Sequence, residues 1–158
     1  MKVAFIGHRK IENTEELKHN LADIVTTLIE KEKADTFLFG SKSEFNELCY
    51  DTVSRLKENY PHIKRIEIRN SNEYLPKIYI DITLKYYEET IFPKSVSGAG
   101  YRSYIKRNQA MIDMSNILVV YFNKNYTPMG KSSKSGTMIA LEYAFKKKKR
   151  IINLYEQD

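Results

Sequence analysis

Ile117-Leu118-Val119-Val120-Tyr121-Phe122 is a near-continuous apolar run of six residues. Such a run is expected of a strand buried on both faces of a parallel sheet. A polar loop, Asn123 to Lys134, follows it with Pro128 and Gly130. Ser135 to Lys148 then reads as a helix, with Ile139, Ala140, Tyr143 and Ala144 able to face a sheet. Arg150 to Leu154 reads as a last strand. Strand, helix and strand in this order make one parallel crossover unit.

The same alternation extends upstream. Lys2 to Ile6 is a short β-rich run ended by Gly7, and Thr36-Phe37-Leu38-Phe39 is another, stopped by Gly40-Ser41. Between them, Leu17, Leu21, Ile24, Val25, Leu28 and Ile29 recur at helical spacing over Thr14 to Lys31. Asn13 or Thr14 can cap that helix, with Glu16 or Glu15 in its first turn. Glu44 to Asn59 is helical, with Phe45, Leu48, Cys49, Val53 and Leu56 on one face, and Lys64 to Arg69 alternates as a strand. Asn70 to Pro76 reads as loop, and Ile78 to Glu89 suits a helix or a strand. Thr90-Ile91-Phe92 suits a short strand, Ser97 to Gly100 a loop, and Tyr101 to Met114 a helix. The expected fold class is α/β, with a mainly parallel central sheet and helices on both faces, in a single domain over residues 1–158.

Composition narrows the function classes. With 42% hydrophobic and 29% charged residues, six Gly and four Pro, the chain is neither collagen-like nor of low complexity. One cysteine, Cys49, allows no internal disulfide and no cysteine-based metal cluster. Cys49 falls on the apolar stripe of the second helix, so it is expected to be buried and not a nucleophile. No apolar run approaches the ~20 residues of a membrane helix, and the run at Met1 to Ile6 is too short for a secretory signal. The chain is expected to be cytoplasmic and away from membranes. Twenty-six Lys and Arg against twenty Asp and Glu, net +6, suggest an anionic partner. The run Lys146 to Arg150 carries five of those charges and reads as a solvated helix end that suits the helix dipole.

In a parallel α/β sheet, ligands bind beyond the carboxyl ends of the strands. That rule directs attention after Ile6, Phe39, Phe92 and Phe122. Gly7-His8-Arg9 offers close backbone approach, a ring for a base or sugar, and a planar cation for phosphate. Gly40-Ser41 before a helix start, with Phe45-Asn46 following, is a possible anion cradle. Arg102, Tyr104, Arg107 and Asn108 belong to a segment where cations and tyrosines can meet phosphate and base. Ser135-Gly136-Thr137 opens the last helix with two hydroxyls, a bare backbone and a favourable field for an anion. Arg9 and Arg107 are expected to converge with the Gly136 loop on one anion site.

Taken in order, Gly7-His8-Arg9, Phe39-Gly40-Ser41 with Phe45-Asn46, Arg107-Asn108 through Asp113, and Ser135 through Ala144 resemble the SLOG superfamily. This Rossmann-like group includes Smf/DprA proteins and LOG-type lysine-decarboxylase-like proteins. The chain looks most like its YpsA-like branch of small single-domain proteins. The resemblance implies a Rossmann-like three-layer sandwich that binds a nucleotide or a nucleotide-derived molecule of the ADP-ribose kind. Two segments depart from the pattern: Ser41, Glu44 and Asn46 stand where the branch has Gly, Gly and Asp, and Ser135 replaces the first Gly of Gly-Gly-Thr. In LOG-type enzymes a glutamate follows the threonine by three residues; Glu142 here follows Thr137 by five.

No defensible catalytic set emerges, and neither a cofactor nor a metal is expected. The first reading is therefore a sensor or sequestering protein for a nucleotide-like ligand, acting as a homo-oligomer. A nucleotide hydrolase is the alternative, with Glu44, Asp113 and Glu142 as its only candidate carboxylates. Single-stranded nucleic acid is a further alternative partner, along Tyr101, Arg102, Tyr104 and Lys106.

Overall fold

The computed structural model describes residues 1–126 and 134–155. Strand β5 (Ile117–Tyr121) is buried at every position. It pairs in parallel with β1 (Lys2–Gly7) on one side and β6 (Arg150–Asn153) on the other. Beyond β1 lie β2 (Thr36–Phe39), β3 (Lys64–Ile68) and the short edge strand β4 (Glu89–Ile91). The six-stranded sheet is parallel throughout, in the order β4-β3-β2-β1-β5-β6.

Strand residues alternate between two cores. Val3, Phe5, Phe37, Phe39, Ile117 and Val119 pack beneath α1 (Glu15–Glu32) and α2 (Glu44–Lys57). Ala4, Ile6, Leu38, Leu118 and Val120 pack beneath α4 (Ser103–Met114) and α5 (Gly136–Lys146). The result is the Rossmann-like three-layer arrangement expected from the sequence. The chain moves outward from β1 to β4 and then returns to place β5 beside β1, so the switch point lies between β1 and β5.

The ambiguous stretch after β3 resolves as one short helix, α3 (Lys77–Thr83), followed by turns into β4. Its isoleucines and tyrosines suit a strand as well, but the sheet edge is taken up by only three residues, from Glu89. A 3-10 turn, Gly100–Arg102, precedes α4. Most of the loop expected over Asn123 to Lys134 lies outside the described residues. None of the described helices is long and apolar enough to cross a membrane.

The basic run is more engaged than a solvated helix end. Lys147 Nζ stands 3.5 Å from Asp113, and Lys149 Nζ donates to the Ser115 carbonyl at 2.7 Å. Arg150 pairs with Glu32 at 2.6 Å. Ser115 directly precedes β5 and Glu32 ends α1 just before β2, so these contacts gather at the amino edge of the sheet.

Cys49 is fully buried on α2, and burial pushes its thiol well above the ordinary range. Gly7 ends β1 for a packing reason. A Cβ there would fall 2.2 Å from Phe45 Cδ1 and 2.8 Å from Phe45 Cβ. The space that a side chain would occupy is thus taken by a core ring. Gly7→Ala should therefore destabilise the fold by about 2–3 kcal/mol, as overpacking does. Gly136→Ala, whose Cβ would meet nothing nearer than 3.6 Å, is the control. Urea unfolding of both variants checks this, and equal stabilities would refute it.

Candidate anion-binding site

Helix α4 runs against the strand direction, so its first turns stand over the carboxyl ends of the sheet. Tyr104, Arg107, Asn108 and Met111 share one face at helical spacing. Met111 and Ile112 enter the core, whereas Arg107 and Asn108 lie a turn higher, past the end of the apolar strands. That position explains two polar residues in a buried stripe.

Arg107 is only 6% exposed. Its Nη1 donates to the Gly40 carbonyl at 3.0 Å and to Asn70 Oδ1 at 3.1 Å. Nε and Nη2 share Asn108 Oδ1 at 3.4 and 3.3 Å. Four of the five guanidinium protons are so engaged, and one on Nη2 remains. Every acceptor is a neutral amide oxygen. Among the described residues no carboxylate lies within ion-pair reach of Arg107. Burial lowers its pKa to about 10, which keeps the group cationic at neutral pH.

The end of β2 is shaped to receive this cation. A Cβ on Gly40 would sit 2.6 Å from Met111 Sδ and 2.9 Å from Arg107 Nε. The Gly40 N–H donates to Asn46 Oδ1 at 3.3 Å, and Ser43 Oγ caps α2 by accepting the Asn46 N–H at 3.0 Å. Ser41 joins the same cap through a 2.9 Å hydroxyl contact with Ser43. The Asn46 amide thus serves as a loop brace.

Tyr104 carries the site across to α5. Its ring lies 3.6 Å from where a Gly136 Cβ would stand, and it is 42% exposed. Ser135 caps α5 by accepting the Met138 N–H at 3.1 Å, and Thr137 is buried behind it. Backbone N–H groups in a first helical turn have no intrahelical acceptor.

On the β1 side, His8 is buried and its ring stacks on Tyr126 with centroids 4.1 Å apart. Nε2 faces the Asn123 backbone, 2.9 Å from its N–H and 3.3 Å from its carbonyl. Nδ1 has no hydrogen-bond partner among the described residues.

The predicted residues are not all drawn together. Arg107, Asn108, Gly40, Tyr104 and Gly136 form one connected set. The Arg9 carbonyl accepts the Glu44 N–H at 2.9 Å, on the side of the sheet that α1 and α2 cover. The Arg9 side chain is exposed, and no bond among the described residues links it to Arg107. Arg102 is exposed at the start of α4. Phe45 is wholly internal, packed under Gly7 rather than facing a ligand.

Each candidate carboxylate is occupied elsewhere. Glu44 Oε2 accepts the Ile11 N–H at 2.9 Å and holds the β1–α1 loop. Asp113 takes the Tyr143 hydroxyl at the far end of α4. Glu142 pairs with Lys134 at 2.7 Å. A separate groove of about 620 Å³ between α1 and α2 is lined by Glu44, Glu47, Asp51 and Glu58 against Lys18 and Arg55, a charge balance unsuited to an anion. No group of three His, Cys, Asp or Glu among the described residues is placed to hold a metal ion.

Asn70 is the main participant that sequence reasoning missed. It lies two residues past the end of β3, bonds Arg107, and reaches Ser103 Oγ at 3.3 Å. Applying the strand-end rule after β3 as well would have found it. Asn123 and Tyr126 do follow Phe122, a strand end that the rule marks, but their contact with His8 joins residues far apart in the chain and leaves no local signal. Comparison with protein-family models and with curated proteins finds no match for the chain.

Burial holds the His8 pKa below its ordinary value of 6.5, against a smaller opposing effect of the Asn123 backbone. The unfolded ring takes up its proton near 6.5, and the folded ring only at lower pH. Between those values the unfolded state binds more protons, so stability should fall as pH drops below 6.5. Urea midpoints for the wild type and His8→Phe across this range test the point. A slope unchanged by the substitution would exclude His8 as its source.

Proposed function

We propose that this chain binds a nucleotide or nucleotide-derived ligand of the ADP-ribose kind at the carboxyl ends of its strands, as a sensor or sequestering protein that breaks no bond. The observation that carries the reading is Arg107, a desolvated cation surrounded by neutral oxygens. Burying an unpaired charge is costly, and a phosphate is the counter-ion that would offset it. The start of α5 adds a second attraction for the same charge, since free amides and the helix field both favour an anion. The half-exposed Tyr104 ring between them offers a stacking surface for a base.

Binding without cleavage is favoured by the carboxylates. Glu44, Asp113 and Glu142 are each held by a structural partner, so none is free to act as acid or base beside Arg107. A small ligand is favoured over a nucleic-acid strand by the charge layout. The five-residue basic run lies at the opposite edge and cannot extend a track from Tyr101 to Lys106.

Calorimetric titration with ADP-ribose, ADP, AMP and adenosine tests the reading on the wild type, Arg107→Met and Gly136→Val. Phosphate-bearing ligands should bind the wild type best. Each variant should lose about 30-fold or more for nucleotides, the size of one charge-assisted contact, and far less for adenosine. Equal losses for both ligand kinds, or none, would overturn the proposal. Thermal unfolding confirms that each variant is folded.

A further inference from the structure

Arg107 is held by three amide oxygens and, among the described residues, neutralised by none. One of the three is the backbone carbonyl of Gly40, and another belongs to Asn108, its neighbour on the same helix. Asn70 supplies the third from 37 residues away in the chain. Its Oδ1 is the nearest side-chain acceptor, at 3.1 Å from Nη1. A carboxylate at that position, different by one atom, would turn a neutral contact into an ion pair.

The loop around Asn70 is gripped on both sides of it. The Arg69 N–H donates to the Ile91 carbonyl at 2.8 Å, which continues the β3–β4 ladder past Ile68. Arg69 Nε donates to Thr90 Oγ1 at 3.0 Å, and that hydroxyl donates to Glu67 at 2.8 Å. Arg69 Nη1 then donates to the carbonyls of Ser71 and Asn72, just beyond Asn70. The amide so placed uses both of its ends. Oδ1 accepts from Arg107, and Nδ2 donates to Ser103 Oγ at 3.3 Å.

Aspartate has the same shape and can keep both contacts. The Ser103 hydroxyl would turn to donate, since it carries a proton as well as lone pairs. If the task of this residue were only to fix Arg107, the carboxylate would do it better. A buried cation without a counter-ion is costly, and an ion pair would relieve that cost. Asparagine fixes the guanidinium and leaves its charge uncompensated.

We infer that Asn70 determines the specificity of the strand-end site, orienting Arg107 without neutralising it so that the charge is kept for a bound anion. This rests on the reading of that site as one for a phosphate-bearing ligand. Asn70 is a positioning residue and acts through Arg107. A carboxylate in its place would be an internal competitor, taking the position that phosphate takes on the guanidinium.

Two substitutions separate this role from that of a structural brace. Asn70→Ala loses both hydrogen bonds, whereas Asn70→Asp keeps both. A brace therefore predicts that Ala harms binding more, and a charge-sparing residue predicts that Asp does. Calorimetric titration of the wild type and both variants with inorganic pyrophosphate and ADP, together with thermal unfolding in the absence of ligand, reads the difference. Asn70→Asp should unfold about 2–4 °C above the wild type and bind both anions about 30-fold more weakly. Asn70→Ala should unfold below the wild type and lose only about 3-fold in affinity, the size of one neutral hydrogen bond. An Asn70→Asp variant that unfolds no higher than the wild type, or that binds pyrophosphate at least as tightly as Asn70→Ala, would overturn the inference and leave the nucleotide reading standing. A wild type that prefers pyrophosphate to ADP, with Asp still weaker than Ala, would remove the nucleotide reading and leave the role of Asn70 intact. A wild type that binds neither anion would overturn both.

Discussion

A strand with no face open to water has to be covered twice, and β5 with its neighbour β1 imposes that condition on the whole chain. Each layer of helices exists to bury one half of the alternating residues of these strands. Val119 and Phe5 call for α1 and α2, while Val120 and Ile6 call for α4 and α5. Because the strands are parallel, each connection crosses back over the sheet, which places α1, α2 and α5 with their starts at one edge. The candidate anion site gathers at that edge. It is where apolar strand residues end and where helix amides and polar side chains take over.

The central strands and four of the helices were readable because burial writes a period into the sequence. Leu17, Leu21, Val25 and Leu28 mark α1 at a spacing that no strand would show. Ile78 to Glu89 was not readable for the same reason in reverse. α3 buries nothing, so no packing constraint has imposed a period on it. Its tyrosines and isoleucines suit a strand locally, and only the tertiary position of β4 decides against one.

Within the candidate site, the polar residues in the buried stripe of α4 were legible, since Arg107 and Asn108 break an otherwise apolar pattern. Their partners were less so. Gly40 acts by leaving room for Met111 and Arg107, and nothing in the local sequence distinguishes that role from a turn. Phe45 follows the second strand among the candidate ligand residues, yet its ring belongs to the core. Asn123 and His8 meet only because β1 and β5 are neighbours in the sheet, 115 residues apart in the chain.

The contact between Gly7 and Phe45 ties the end of β1 to the start of α2. The backbone that leads into the His8 loop rests directly on a ring of the hydrophobic core. A smaller residue at position 45 would leave a void beneath the loop, and a larger one at position 7 would displace that ring and the start of α2 that carries it. Variation in one position is therefore tolerable only with compensation in the other. Any attempt to transplant the β1 loop into a related scaffold has to carry Phe45 with it, because the loop's floor is supplied by a different helix.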